Sequence, residues 1–469
     1  MILKGFIGGA YEGRSDYINP QTCVNLFPVV DSTGGKNVIN LVGTPGLIPK
    51  GSYNSYAVRG LIRASGTTYL VSGNSFLSFD GTDFTLLGTL SSTTSNPVHM
   101  EENGVQVMIV DGESGYIYTI SGSTFEKISD PDFPTPSSLA YQDGYFIVSK
   151  ADSDEFYISS LYDGTTWDAL DFGSAEANPD IAVTIISDHR ELWVFGEKTT
   201  EVFYNSGNAD FPFERISGST QEIGCGAKFS VAQGDNTLFW LDNRGFLIRA
   251  NGYTPVIVST RNVEYQWAGY SKTSDAIGFC YDFDGHVMYQ ITFPTAGKTW
   301  VFDVSTNMWH ERSSYTGSTY TGSVGRHRAN CYVWDGVNHI VGDYDNGMLY
   351  YLDIDKYSDA GEPSIRERTF PIISSENKRI FFRSLEIDFE PGTGTLTNSP
   401  AAMLQWSNDG GKTWGNEVWR RAGNIGEYRT RLIWRNLGSA RNRVFRLRVS
   451  DEFKVVIAGA YIDMIEGRN

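Results

Sequence analysis

The sequence contains no run approaching the roughly 18 uninterrupted apolar residues that a membrane-crossing helix needs. Its opening, MILKGFIGGAYEGR, has neither a basic cluster nor the apolar stretch of a signal peptide. A soluble, unsecreted chain is expected. Cysteine is scarce: Cys23, Cys225, Cys280 and Cys331 are far apart and form no CxxC pair, so neither a zinc site nor a dense disulfide framework is indicated, and buried thiols are expected. The six histidines (His99, His189, His286, His310, His327, His339) show no HExxH or other metal spacing. No GxxxxGK or GxSxG motif occurs, and Gly392-Thr393-Gly394 lacks the strand and helix of a nucleotide loop. No metal, no other cofactor and no catalytic residue is therefore assigned. Proline is sparse as well, 16 residues against 50 glycines, and with 40% hydrophobic and 14% aromatic residues this composition reads as many tight turns between short strands rather than disorder.

Charge is plentiful but uneven. Residues 1–360 carry 21 Lys+Arg against 42 Asp+Glu, whereas residues 361–469 carry 17 against 13, with 14 of those 17 cations arginine. The two parts are expected to meet different neighbours. An acidic body repels nucleic acid, whereas a sequence reader would show a basic stripe, so sequence-specific DNA binding is not expected.

At 469 residues the chain exceeds what one core usually serves. A strand–turn–strand unit recurs about seven times. Its second strand aligns at TYLVSG (68–73), VQVMIVDG (105–112), GYFIVSK (144–150), ELWVFG (191–196), NTLFWLD (236–242), HVMYQIT (286–292) and NHIVGDY (338–344), with centres roughly 38 to 52 residues apart. That period suits a four-stranded propeller blade and leaves no room for helices. Seven turn pairs, at residues 80–81, 111–112, 143–144, 163–164, 284–285, 335–336 and 346–347, are Asp-Gly or Asn-Gly, suited to the positive φ of type I′ hairpins. Trp167, Trp300 and Trp309 end units as wedge-filling aromatics, loosely kelch-like. The expected fold is all-β: a six- or seven-bladed β-propeller over residues 55–353, an irregular N-terminal arm or cover over 1–54, a polar linker over 354–378, and a β-sandwich-like assembly domain over 379–469, with strands at 379–390, 401–407, 429–437, 443–450 and 455–464.

Asp16-Tyr17, Cys23-Val24-Asn25-Leu26-Phe27-Pro28, Gly43-Thr44-Pro45-Gly46-Leu47 and the segment from Leu404 to Asp451 carry a resemblance. The chain resembles the packaged-DNA stabilisation proteins, or tail hub (nozzle) proteins, of enterobacterial podoviruses. The resemblance implies a structural, non-enzymatic virion protein: a homo-oligomer, a ring of six, docked below the portal and its adaptor protein. It implies partners among tail fibres or tailspikes and tail tip or needle proteins, retention of packaged DNA, and DNA passing through the channel during ejection. It also implies assembly in the host cytoplasm.

Two local features invite chemistry. Ser407, Asp409, Gly411, Thr413 and Trp414 match an Asp box, which reads either as part of a glycosidase-type propeller or as a hairpin lock. A propeller that binds or cleaves host-surface glycan is accordingly the alternative function, with a cellular kelch-like scaffold as a third. Arginines alternate with tryptophans in the last module. Trp419, Arg420, Arg421, Arg429, Arg431, Trp434, Arg435, Arg446 and Arg448 form a candidate protein interface, favoured over contact with DNA phosphate because Arg and Trp are enriched at interface centres. The acidic runs 152–155 and 343–346 read as calcium loops or as solvated turns.

Overall fold

The computed structural model describes residues 2–15, 18–31, 33, 37–92, 94–316 and 323–467. Asp16 and Tyr17 lie outside them.

Among the described residues, seven four-stranded antiparallel blades form a closed propeller. Six follow chain order from inner to outer strand: blade one from Val58–Ala64 to Phe84–Thr89, blade two from His99–Glu102 to Thr124–Lys127, blade three from Pro136–Gln142 to Asp163–Ser174, blade four from Ala182–Asp188 to Phe213–Arg215, blade five from Ala232–Gly234 to Thr254–Ile257, and blade six from Ile277–Phe283 to Met308–Thr316. The seven aligned segments are the second strands, continuous apolar runs because both faces are covered. In blade two, Val107 and Ile109 pack towards blade one, while Met108 and Val110 pack towards blade three. Blade seven takes Ala329–Trp334, His339–Asp343 and Met348–Asp353 from its own stretch of chain and its outer strand, Gly46–Ser52, from near the N-terminus. A Cβ at Gly46 would lie 2.4 Å from the Lys356 carbonyl oxygen, so the closing strand seats only because that position is bare.

The turns divide by mechanism. Asp143-Gly144 and Asp284-Gly285 have positive φ at both positions, as expected of type I′. At Asp80, Asp111 and Asp335 only the following glycine does, and the aspartate instead accepts the N–H groups two and three residues on. Neither residue at 163–164 or 346–347 has positive φ, which corrects the uniform type I′ expectation. Ser65-Gly66, His189-Arg190 and Asp235-Asn236 make the same doubly positive turn without an Asp-Gly pair.

The C-terminal domain is a two-sheet sandwich. One sheet orders Leu26–Val30, Ile39–Gly43, Val456–Glu466, Ile380–Phe389 and Leu432–Arg435; the other orders Arg366–Thr369, Asn442–Val449, Ala401–Ser407 and Val418–Arg421. The first 54 residues are therefore not a separate arm: they supply two sandwich strands and the closing propeller strand. Cys23–Val24 also pairs with Arg368 and Glu367 on one side and Glu311 of blade six on the other, making one continuous sheet across both domains. The stretch 354–378 is likewise not a solvated linker. Arg366 and Arg368, 1% and 0% exposed, sit on a sandwich strand. Arg368 donates to the carbonyls of Phe6, Gly9, Thr22 and Gly5 and to Gln21 Oε1, replacing water at a buried charge with five acceptors of the N-terminal segment. Phe6, Trp267, Trp309, Phe370 and Phe445 belong to one core spanning both domains.

Candidate assembly surface

Val418–Arg421 closes one sandwich sheet and Leu432–Arg435 the other, so two edge strands meet at one corner, joined by residues 422–431. The strand sequence VWRR is short and charged, as exposed edges that avoid indiscriminate pairing are. Trp419 is 54% exposed, and Arg420, Arg421, Arg429 and Arg435 are exposed around it. Arg420 donates to its neighbour's carbonyl at Trp419 and across the corner to Ile433 O, at 2.8 and 3.1 Å, which holds its side chain along the edge. Ile425 and Tyr428, 52% and 68% exposed, extend the surface with apolar area.

The other candidates are engaged internally. Arg431 is exposed but forks onto both oxygens of Glu386, at 2.6 and 2.5 Å. Arg446 and Arg448 share a face of Asn442–Val449, as the alternation predicts, yet both are half-buried. Arg446 binds Gln405 Oε1 and lies 4.0 Å over the Trp414 ring; Arg448 binds Glu367 at 2.6 Å and approaches Glu417 at 3.9 Å. Trp434 departs from the expectation entirely. It is 0% exposed and its indole N–H donates to Val418 O at 2.7 Å, tying the two edges together from inside. Alternation places it opposite Arg435, but the second sheet covers its face.

The Asp box is a turn between Ala401–Ser407 and Val418–Arg421, in the sandwich and not in a blade. Thr413 N donates to both Asp409 oxygens at 3.0 and 3.1 Å, and Ser407 Oγ donates to Asp409 and accepts from Gly411 N. The Ser407 and Thr413 hydroxyls hold the Asp409 carboxyl well below the usual carboxylate range. Those bonds use the aspartate inside its own loop, with Gly410 and Gly411 at φ of 84° and 101° and Arg446 stacked on Trp414. The arrangement locks a hairpin and leaves no free carboxylate for acid–base work.

In the propeller, no group of three or more His, Cys, Asp or Glu among the described residues is arranged to hold a metal. Of the two acidic runs, Asp343 is taken by Arg328 and Tyr350, and Asp154 by Ser174. Burial pushes the thiols of Cys23 and Cys225 up to about 11 and 12, out of reach of thiolate chemistry at neutral pH. The bore keeps a cavity of only about 230 Å3, with His99 stacked on Phe229 across it at 4.9 Å. It admits no nucleic acid. Sequence reasoning missed Arg443, 2% exposed, which donates to Asn408 and to the Leu437 carbonyl and lies 4.4 Å from the Phe382 ring centre; its place in RNRVFRLRVS gives no sign of burial.

Comparison with known proteins gives two family matches: bacteriophage P22 Gp10, beta-propeller, over residues 4–357, and bacteriophage P22 Gp10, beta-sandwich, over residues 365–465. Among curated proteins none matches. Solved structures are similar at TM-scores below 0.5. The extracellular domain of the hybrid two-component system BT4673 from B. thetaiotaomicron (TM-score 0.45, 11% identity) is matched over 77% of this chain and 43% of its own length. The Neurospora crassa Pan2 WD40 domain (0.42, 10%) is matched over 66% and 95%, and BamB from Moraxella catarrhalis (0.41, 8%) over 71% and 97%.

Proposed function

The chain belongs to the bacteriophage P22 Gp10 family, and from that membership we propose that it is the hub, or nozzle, subunit of a short phage tail, six copies of which close a ring continuing the DNA channel. It is a structural protein of the phage tail that assembles with other virion proteins.

The observation that carries the finer reading is the pairing, in one continuous body, of an acidic propeller with a basic sandwich corner bearing Trp419, Arg420, Arg421 and Arg435. A cationic edge on one copy facing the acidic flank of the next is a heterologous contact, and such contacts close into a ring when the rotation permits. Arginine forks onto carboxylates give that contact both strength and orientation. DNA then runs along the ring axis, outside the plugged bore, past walls whose net negative charge keeps the backbone from adhering. The adaptor protein, fibres or tailspikes, and tip or needle proteins are the remaining partners, met first in the host cytoplasm during assembly. The glycan reading draws nothing from the Asp box, because its aspartate is consumed within the loop.

Negative-stain imaging and sedimentation of the purified chain, alone and with its adaptor protein, test the proposal. Six-fold rings are expected with the adaptor, and the triple variant Trp419→Ala, Arg420→Glu, Arg421→Glu should lose them while keeping its β-type circular dichroism. Monomers under every condition would remove the proposal.

A further inference from the structure

The two ends of the propeller bore differ in how their charges are matched. At the end where the inner strands finish, the tight turns carry Asp143, Asp235, Asp284 and Asp335, of which Asp143 is paired with Arg190 and Asp235 with Arg249. At the end where they begin lies a recess of about 560 Å3 lined by Lys228, Lys272 and Arg326, with Asp275, Asn330 and Phe229 beside them. Cations so gathered are unexpected in a body whose first 360 residues hold twice as many acids as bases.

These cations make no direct ion pair among the described residues, although Asp343, Asp275 and Asp345 all act on Arg326 through space. Among the described residues Lys228 makes no ion pair; its ammonium lies 5.4 Å from the Phe229 ring centre, and burial pushes it down to about 8. Arg326 is 8% exposed and also makes no ion pair: it stacks 3.8 Å over Tyr344 and donates one Nη2 bond to Asn330 at 2.8 Å, while its buried Nε has no partner among the described residues. Its neighbour Arg328 is by contrast paired with Asp343. Asp275 spends Oδ2 on the Thr295 N–H and hydroxyl, at 2.8 and 2.6 Å, and its buried Oδ1 has no partner among the described residues. A recess lined by buried Arg326 and half-buried Lys228, neither in an ion pair among the described residues, with a third cation at the rim and Asp275 as the one acid of its lining, has a lining surplus of two positive charges and one unused acceptor. Leaving buried charge and buried polar atoms unmatched is costly, and a ligand with complementary groups removes the cost.

We propose that this recess is a phosphate-binding site. Hydrogen phosphate is a dianion, matching the charge surplus, and its one O–H can donate to Asp275 Oδ1 while its remaining oxygens accept from Lys228 and Arg326. A carboxylate brings one negative charge and no such proton. Lys272, exposed at the rim, draws the anion in. Phe229 lines the recess beside these groups, and the phosphate it takes is either free in solution or at the end of a nucleic acid strand.

The test uses the full chain, with thermal melts and calorimetric titration in sodium phosphate, in sodium sulfate, and in sodium chloride of equal ionic strength. Phosphate should raise the melting temperature saturably above chloride, and sulfate, lacking the proton for Asp275, should bind about tenfold more weakly. Lys228→Met should abolish the phosphate effect and melt above the parent in chloride, because an unpaired half-buried charge has been replaced by an apolar chain. Lys272→Gln, at an exposed position that folding does not depend on, should weaken phosphate binding about three- to tenfold. Equal melting in phosphate and chloride overturns the proposal, as does a Lys228→Met protein that melts below the parent in chloride yet keeps its phosphate response. A 5′-phosphorylated oligonucleotide that protects where its unphosphorylated form does not assigns the ligand to a strand end; protection by inorganic phosphate alone assigns it to the free ion.

Discussion

Propeller and sandwich are both antiparallel all-β domains, yet they dispose of charge and edges in opposite ways. The propeller closes on itself through Gly46–Ser52, covers both faces of every second strand and holds all six histidines of the chain. The sandwich has no histidine, is rich in arginine, and ends in two short edge strands that meet at Trp419 and Trp434. The difference teaches that a stiff body and an adhesive corner can come from the same kind of sheet. What separates them is whether the last strand finds its partner inside the chain.

The largest expected effect strikes the seam between the two. Arg368→Leu leaves five acceptors of the N-terminal segment without a donor and should cost about 3–5 kcal/mol in urea or thermal unfolding. An effect below 1 kcal/mol would mean that the seam is held by the shared apolar core alone.

Acid should then separate the domains. Burial pushes His99 and His310 down to about 3, and His327 well below its ordinary value. These rings stay neutral in the folded state but take up protons in the unfolded chain below about pH 6.5. Their contribution is thus intact above that pH and is lost as pH falls, by about 1.4 kcal/mol per pH unit for each histidine. Glu101 works the other way: burial, with Glu102 beside it, raises it to about 8, so stability is regained as pH falls from there towards about 4.5, offsetting one histidine. His286 and His189, held above their ordinary value by Asp303 and Asp188, likewise gain as pH falls and offset part of the remainder. Hydrogen exchange near pH 5 should therefore show propeller amides opening before sandwich amides.

Removing the closing contact is the next test. Leu47→Ala, at a fully buried position of the seventh blade's outer strand, should cost about 2–4 kcal/mol. Protection should fall first in Met348–Asp353, the strand it pairs with, if the ring fails at its N-terminal closure. The smallest effect on stability belongs to Trp419→Ala, within about 0.5 kcal/mol of the parent, whereas Trp434→Phe, one strand away, should be plainly destabilising because it removes the bond to Val418 O. Comparable losses for the two would erase the distinction between edge and core at this corner.

Much of this was legible in the sequence. The seven second strands, the change of pattern after residue 353 and the sandwich strands all rest on local hydrophobic pattern, a continuous apolar run where both faces are buried and alternation where one is, whatever the partners are. Trp419 and Arg420 lie exposed on a short, charged edge strand, which is what the proposed interface needs of them. The N-terminal segment was not legible, because Ile39–Gly43 and Gly46–Ser52 find strands some 300 to 400 residues away, and no short-range period records a long-range partner. The same holds for Arg366 and Arg368, whose charge suggests solvent until the acceptors folded around them are seen.

By itself, the sequence determined that the chain is all-β, that it repeats about seven times and then changes character, and that its negative charge lies in the repeats and its arginines after them. Those are properties of composition and period, which survive any arrangement of the pieces. Only the tertiary structure decided which strand closes the ring, which arginines are buried and which tryptophan faces outward, and that three cations converge on one mouth of the bore. Each depends on residues distant in sequence meeting in space, where desolvation and partner geometry rather than residue type set the outcome.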